Sequence, residues 1–216
     1  MKEPPELVEH LRSSDTAARL RAAREVAKMA LQETTSHEEA FFHAPGVMDA
    51  IIRALDDPEP AVAENAVIAL AEAARRYVKG AGGYPGVARL LHSRRALTRA
   101  WAAKAAGVVG GDRCAEDVLA LAHDRSAKVR GEVYDVLVDL AAAGQLFAEH
   151  RKQAQEAAVA ALADDSWEVR ELAASALSEL GDREALAPLK AARRKEKDRM
   201  AKDSMDLAIT AIEGRV

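Results

Sequence analysis

Apolar residues recur at spacings of three and four along nearly the whole chain, interrupted by short clusters of Gly, Pro and Asp, while the alternation that marks a half-buried strand is almost absent. Helices are therefore expected throughout. The stretch DDSWEVRELAASALSELGD, residues 164–182, shows the pattern best. Val169, Leu172, Ala173, Ala176, Leu177 and Leu180 fall along one side of a helix, with Glu168, Glu171, Ser175 and Glu179 between them. A shorter apolar segment, QEAAVAALA, precedes it, so the local unit is a helical hairpin with an acidic turn.

The unit repeats. AHDRSAKVRGEVYDVLVDLAAAG (122–144) overlays it without a gap, setting Asp124 on Asp164, Val129 on Val169, Arg130 on Arg170, Leu137 on Leu177 and Leu140 on Leu180. DPEPAVAENAVIALAEAA (57–74) fits the same frame through Asp57, Val62 and Leu70, with Ala63 in place of the arginine. Weaker copies run from Ser93 through Arg99 and Trp101 to Gly110, from Asp15 through Leu20 and Arg21, and from Glu196 to Ile212. Each has its own short first segment: ELVEHL, GVMDAIIRAL, GVARLL, AEDVLALA and ALAPLKAA precede the other five. The equivalent positions Leu20, Val62, Thr98, Val129, Val169 and Ala201 are about 30 to 42 residues apart, the period of helical solenoids. Burying one leucine contributes about 1.5 to 3 kcal/mol, and one hairpin has too few to fold alone. Stacked neighbours supply the missing surface, and the alanines at 173, 174 and 176 let helices approach closely.

In its acidic turn, Val-Arg pair and Ala-rich second helix ending in Gly-Asp, residues 164–182 resemble the HEAT repeat. PGVMDAIIRALDDPEPAVAENAVIALAEAA is similar to the armadillo repeat. The resemblance covers nearly the whole chain. It implies an all-α fold, a right-handed α-solenoid of about six HEAT/armadillo-like hairpins, forming a single domain over 1–216 with a longer connection near 33–46. It also implies that Arg130 and Arg170 belong to a ladder pairing with acids in successive turns. The acids themselves have a local role: Asp57, Asp124 and Asp164 stand just before second helices, where a carboxylate accepts backbone amides and favours the helix dipole.

Composition narrows the function classes. Hydrophobic residues make up 49% of the chain but aromatics only 4%, which fits closely packed helices. Thirty-one Lys and Arg against 35 Asp and Glu leave a net charge of -4, which gives no general attraction to phosphate backbones. The single Cys114 excludes an intrachain disulfide and fits a reducing compartment, so the cytoplasm is expected. MKEPPELVEH lacks the apolar core of a signal peptide, and no stretch approaches the roughly 18 apolar residues of a membrane span.

Motifs that carry chemistry are few. HEEAFFH (37–43) has its two histidines six apart, on different sides of a helix, whereas a metal pair on one face needs a spacing of four. No metal is expected there. Phe41 and Phe42 instead pack the connection between the first two units, with His37 and His43 at its rim. GAGG (80–83) has neither the preceding strand nor the following Lys-Ser of a phosphate loop, and no Ser, His and Asp constellation is visible. No cofactor and no catalytic group is assigned.

Two basic runs, HSRRALTR (92–99) and ARRKEKDRMAK (192–202), offer the alternative of a nucleic-acid-binding face built on Arg94, Arg95, Arg99 and the 193–202 run. Bacterial alkylpurine DNA glycosylases resemble this chain in repeat type and length, but their catalytic residues find no match here. Phycobilin lyases resemble it only through the structural Val-Arg signature. Armadillo transport receptors present repeated Trp and Asn from their second helices. The matching positions here hold Ile68, Lys104, Asp135 and Ser175, and Glu72, Val108, Asp139 and Glu179. In that register Glu72, Asp135, Asp139 and Glu179, with Glu64 and Glu171 nearby, line a concave surface that suits a basic or amphipathic protein segment, or forms a solvated acidic face. The expected function is a protein-interaction scaffold or adaptor. Trp167 has no aromatic equivalent in the other repeats, so it either fills an inter-repeat gap or anchors a partner.

Overall fold

The computed structural model describes residues 4–32 and 36–215. Thirteen α-helices and no strand occur among them. Residue contacts separate the chain into two compact units, Met1–Gly110 and Gly111–Val216, each taken in turn below.

The first unit holds α1 (Pro4–Leu11), α2 (Thr16–Leu31), α3 (Ser36–His43), α4 (Val47–Ala54), α5 (Pro60–Arg76), α6 (Tyr84–Leu90) and α7 (Ala96–Gly110). Short first helices pair with long second ones as α1/α2, α4/α5 and α6/α7, and the second helices pack in sequence, α2 on α5 and α5 on α7. Alanine permits this spacing: Ala66, Ala69 and Ala73 of α5 are buried with Val62, Val67 and Leu70. Pro60 opens α5, where its missing N–H costs nothing, and Glu59 accepts the Ala61 amide. The long connection after α2 is not extended but contains the extra helix α3; residues 33–35 of that expectation lie outside the described residues. Phe41 and Phe42 are buried as expected, edge to face with centroids 5.1 Å apart, and Phe42 stacks on Tyr77 at 5.2 Å. His37 and His43 are exposed at the margin.

The second unit holds α8 (Ala115–Ala120), α9 (Ala127–Ala142), α10 (Ala148–Ala161), α11 (Trp167–Leu180), α12 (Leu186–Lys195) and α13 (Arg199–Glu213). Short 3-10 turns flank α8 and precede α12. The hairpins are α8/α9, α10/α11 and α12/α13, with α11 packed between α9 and α13. Val169, Ala173, Ala176, Leu177 and Leu180 of α11 are buried, the stripe anticipated for this helix, while Leu172 stays half-buried. From α13, Ala201, Met205, Ala208 and Ile212 complete the packing. The three hairpins of each unit, with α3 additional, account for the six expected copies.

Candidate functional site

Four of the six turns between a first and a second helix are closed by an arginine one turn inside the second helix, Arg19, Arg99, Arg130 and Arg170, where Ala63 and Lys202 hold the equivalent places in the other two. Arg130 donates from Nε to Asp164 Oδ2 at 2.7 Å and from Nη2 to Asp164 Oδ1 at 2.6 Å, while its Nη1 donates to the Asp124 carbonyl at 2.8 Å. Arg170 repeats the arrangement with Glu196, at 2.6 and 2.9 Å, and with the Asp164 carbonyl at 2.8 Å. Thus each arginine closes its own turn and clasps the acid of the next. The ladder implied for Arg130 and Arg170 is present, and its partners lie 34 and 26 residues away in sequence.

The turn acids do something different from what sequence suggested. Asp57, Asp124 and Asp164 accept the amides of Glu59, Ser126 and Ser166, each two residues on and still outside the helix. They shape the turn rather than cap the helix. The first repeat also needs a correction of register. Arg19, not Arg21, forks onto Asp57 at 2.6 and 3.2 Å and reaches the Ser13 carbonyl at 3.0 Å. Ser13 therefore holds the place of the acid, its hydroxyl accepting the Asp15 amide, and buried Ala18 rather than Leu20 takes the place of Val169. Asp15 is the cap, accepting the Ala17 amide, and Arg21 only approaches it at 3.8 Å.

The arginines set the ionisation of these acids. Arg130 holds the Asp164 carboxyl below its ordinary value against the opposing effect of burial. Arg170 acts in the same way on Glu196, which burial would raise and which the amides of Asp198 and Lys197 also stabilise; its pKa falls to about 2. Sequence reading gave Glu196 no partner. Its position opening the degenerate last repeat was the available signal.

The six acids assigned to a common surface divide between the units. In the first, Glu64 and Glu72 are buried and engaged. Glu64 accepts from Thr98 Oγ1 at 2.5 Å and lies 3.1 Å from Arg95 Nε. Glu72, only 2% exposed, is 2.7, 3.0 and 2.8 Å from Arg75, Arg76 and Lys104. Burial raises the Glu72 pKa, but hydrogen bonds from Lys104 and Arg75 outweigh it and leave the group below its ordinary value. Lys104 also sits 5.0 Å over the Trp101 ring. These two glutamates are internal ties, a correction to their assignment as surface acids. In the register set by Arg19, exposed Arg24 and Lys28 of α2 fall on the places of Asp135 and Asp139, so this unit presents no acidic row.

In the second unit the acids are at the surface. Asp135 and Asp139 on α9, and Glu168 and Glu179 on α11, are exposed. Glu171 is half-buried and accepts the Ser204 hydroxyl at 3.1 Å. A groove of about 350 Å³ between α9 and α11 is lined by Lys128, Gly131, Glu132, Asp135, Glu168 and Leu172, among others. Trp167, 40% exposed, lies between Ser166 and Glu168, which both line that groove.

The basic runs are partly committed. Arg99 is buried with Nη1 donating to the Ser93 carbonyl at 2.7 Å, and Arg95 meets Glu64. Arg193 forks onto Asp206 at 2.7 and 2.9 Å, while Arg194, Lys195, Lys197 and Arg199 are exposed. Sequence reading missed one pair: His150 Nδ1 lies 2.8 Å from Asp112 Oδ1, which also accepts the Phe147 amide at 2.9 Å. Burial pushes the Cys114 thiol up to about 12. Among the described residues no three His, Cys, Asp or Glu side chains gather to hold a metal ion, and no helix is long and apolar enough to cross a membrane.

Comparison with known proteins agrees with this architecture. The HEAT repeat family matches residues 156–183, which take in the end of α10, the turn after it and all of α11. No curated protein matches the sequence. An engineered protein of the Northeast Structural Genomics Consortium superposes with a TM-score of 0.80 at 22% identity, covering 99% of this chain and 100% of that one. A designed armadillo repeat protein in complex with the peptide (KR)4 superposes with a TM-score of 0.77 at 20% identity, over 98% of this chain and 100% of that one. A computationally designed armadillo repeat protein for modular peptide recognition gives 0.75 at 20% identity, over 97% and 100%. The chain has the fold of a HEAT/armadillo-like repeat protein.

Proposed function

We propose that this HEAT/armadillo-like repeat protein is a non-enzymatic scaffold or adaptor that binds a basic or amphipathic protein segment on the second-helix face of its 111–216 unit. The observation that carries the reading is the contrast between the units. Glu64 and Glu72 are buried, whereas Asp135, Asp139, Glu168 and Glu179 reach solvent on two adjacent helices. Neighbouring acids on one face raise the local concentration of a cationic partner and speed its encounter. The groove beside them, with Leu172 in its wall and Trp167 adjoining in sequence, offers apolar contact to the same segment. A similar fold in the designed armadillo protein that holds (KR)4 supports this choice of partner chemistry. A reducing, cytoplasmic setting accords with the lone buried thiol of Cys114.

A labelled Lys-Arg repeat peptide titrated at low ionic strength tests the reading by fluorescence anisotropy. Binding that weakens with salt and falls at least tenfold in Asp135→Lys/Asp139→Lys is expected. Equal binding by the reversed variant rejects it. A competing reading, a nucleic-acid-binding protein or HEAT-like DNA glycosylase, draws on exposed Arg194, Lys195, Lys197 and Arg199. An oligonucleotide bound more tightly than the peptide, with a steep salt dependence, would favour that class instead.

A further inference from the structure

The ladder arginines set the correspondence between second helices: Arg130, Arg170 and Lys202 are equivalent, as are the helix faces around them. In this register the row through Asp135 continues to Ser175 on α11 and Leu207 on α13, and the row through Asp139 continues to Glu179 and Ala211. Two turns nearer the helix start, Glu168 is followed by Met200. Along the rows of Asp135 and Asp139 the surface therefore changes from carboxylates on α9 to hydrocarbon on α13, with exposed Asp203 between Met200 and Leu207 and Lys128 heading the row of Glu168. Met200 is 58% and Leu207 68% exposed, the two most exposed large apolar side chains on this face.

We infer that this graded face selects a protein segment that is cationic where it crosses α9 and carries a large apolar side chain where it crosses α13, with Met200 and Leu207 forming the apolar contact. The inference rests on the reading that the acids of α9 and α11 hold a basic segment, and it adds the feature that tells one basic segment from another. Charge complementarity fixes the cationic end, and the exposed hydrocarbon of Met200 and Leu207 fixes the other. Packed helices lie about 8 to 10 Å apart, so α9 and α13, on either side of α11, are separated by roughly 18 Å. An extended chain covers about 3.3 Å per residue. The two determinants are thus about five or six residues apart.

The test uses labelled peptides carrying Lys-Arg-Lys-Arg and, six residues away, either Leu or Ser, made in both chain orders. Their binding to the intact protein is compared with Asp135→Lys/Asp139→Lys and Met200→Ser/Leu207→Ser. In one order the Leu peptide should bind about tenfold tighter than its Ser partner, the scale of partly burying one leucine. The serine double variant should lose that preference while binding the Ser peptide unchanged, and Met200→Leu/Leu207→Met should restore it. The lysine double variant should weaken both peptides. Equal affinity for Leu and Ser peptides, still lost on charge reversal, overturns the apolar contact and leaves the basic-segment reading standing. A leucine preference unaffected by charge reversal keeps the contact and removes that reading. Failure of every peptide to bind at low salt overturns both. Sedimentation showing a self-associated wild type, made monomeric by the serine changes and without leucine preference, makes a second copy the occupant and also overturns the inference.

Discussion

Arg130 lies in one hairpin and Asp164 in the next, yet their side chains meet through two parallel hydrogen bonds of 2.6 and 2.7 Å, with most of both groups removed from solvent. Such a fork fixes distance and orientation together, which a lysine cannot do. Arg130→Ala leaves the Asp164 carboxylate with the Ser166 amide and strips the Asp124 carbonyl of its donor, and should cost about 1–3 kcal/mol in urea unfolding. A double-mutant cycle with Asp164→Ala should return a coupling of about 1 kcal/mol or more. Arg130→Lys should recover less than half of the loss.

Acid stability should depend on the equivalent pair in the following repeat. The Glu196 pKa is about 2 in the folded chain against an ordinary 4.5, so folding favours the ionised form. The contribution is complete above about pH 4.5 and disappears as pH falls through 2. With the side chain only 3% exposed, it amounts to about 3 kcal/mol. Plotted against pH, the stability difference between wild type and Glu196→Gln should shrink between 4.5 and 2 and be level above. A difference independent of pH over that window would show that Arg170 does not shift Glu196.

Two glycines should respond oppositely to alanine. A Cβ on Gly181 would lie 2.5 Å from the Leu177 carbonyl oxygen, a backbone atom held in α11, and 2.8 Å from Ile212 Cδ1. Gly181→Ala should lose about 1–3 kcal/mol through overpacking. On Gly131 the nearest atom, 2.9 Å away, is Cδ1 of Leu172, the end of a half-buried side chain that can turn aside. There the helix preference for alanine, about 1 kcal/mol, should leave stability equal or higher. Thermal melts of the two variants give the comparison directly.

Trp167 provides an optical check on the binding face. With Trp101→Phe in the background, the remaining tryptophan emission comes from Trp167. Its 40% exposure predicts a red-shifted maximum that moves to shorter wavelength when a Lys-Arg peptide occupies the neighbouring groove. Peptide binding without such a shift would exclude Trp167 from the contact and leave it as an exposed helix-start residue.

The hairpins, their number and most of the ladder were legible because helical period and the repeated Asp, Val and Arg positions are local signals. The first repeat was misread by two residues for an equally local reason. Asp15 and Arg21 imitate the six-residue separation of acid and arginine seen at Asp164 and Arg170, whereas the true pair of positions is Ser13 and Arg19. What sequence did not reveal was the fate of Glu64 and Glu72. Their partners Arg95, Thr98 and Lys104 belong to the next hairpin, more than 30 residues on, and a helical wheel of α5 cannot see them. Asp135 and Asp139 share the register of such positions but remain at the surface. Repeat position tells where a side chain emerges, while burial depends on what the neighbouring repeat places opposite it.

The ladder also has a direction, since Arg19, Arg130 and Arg170 each fork onto an acid further along the chain. A block cut at hairpin boundaries would carry an arginine away from its acceptor and bring in an acid without its donor. A block starting between Ser166 and Arg170 would keep each fork whole, and the carbonyl at the turn could come from any residue. The transferable module of this chain thus begins inside the first turn of a second helix, and exchanges between related sequences should be tolerated best at that seam.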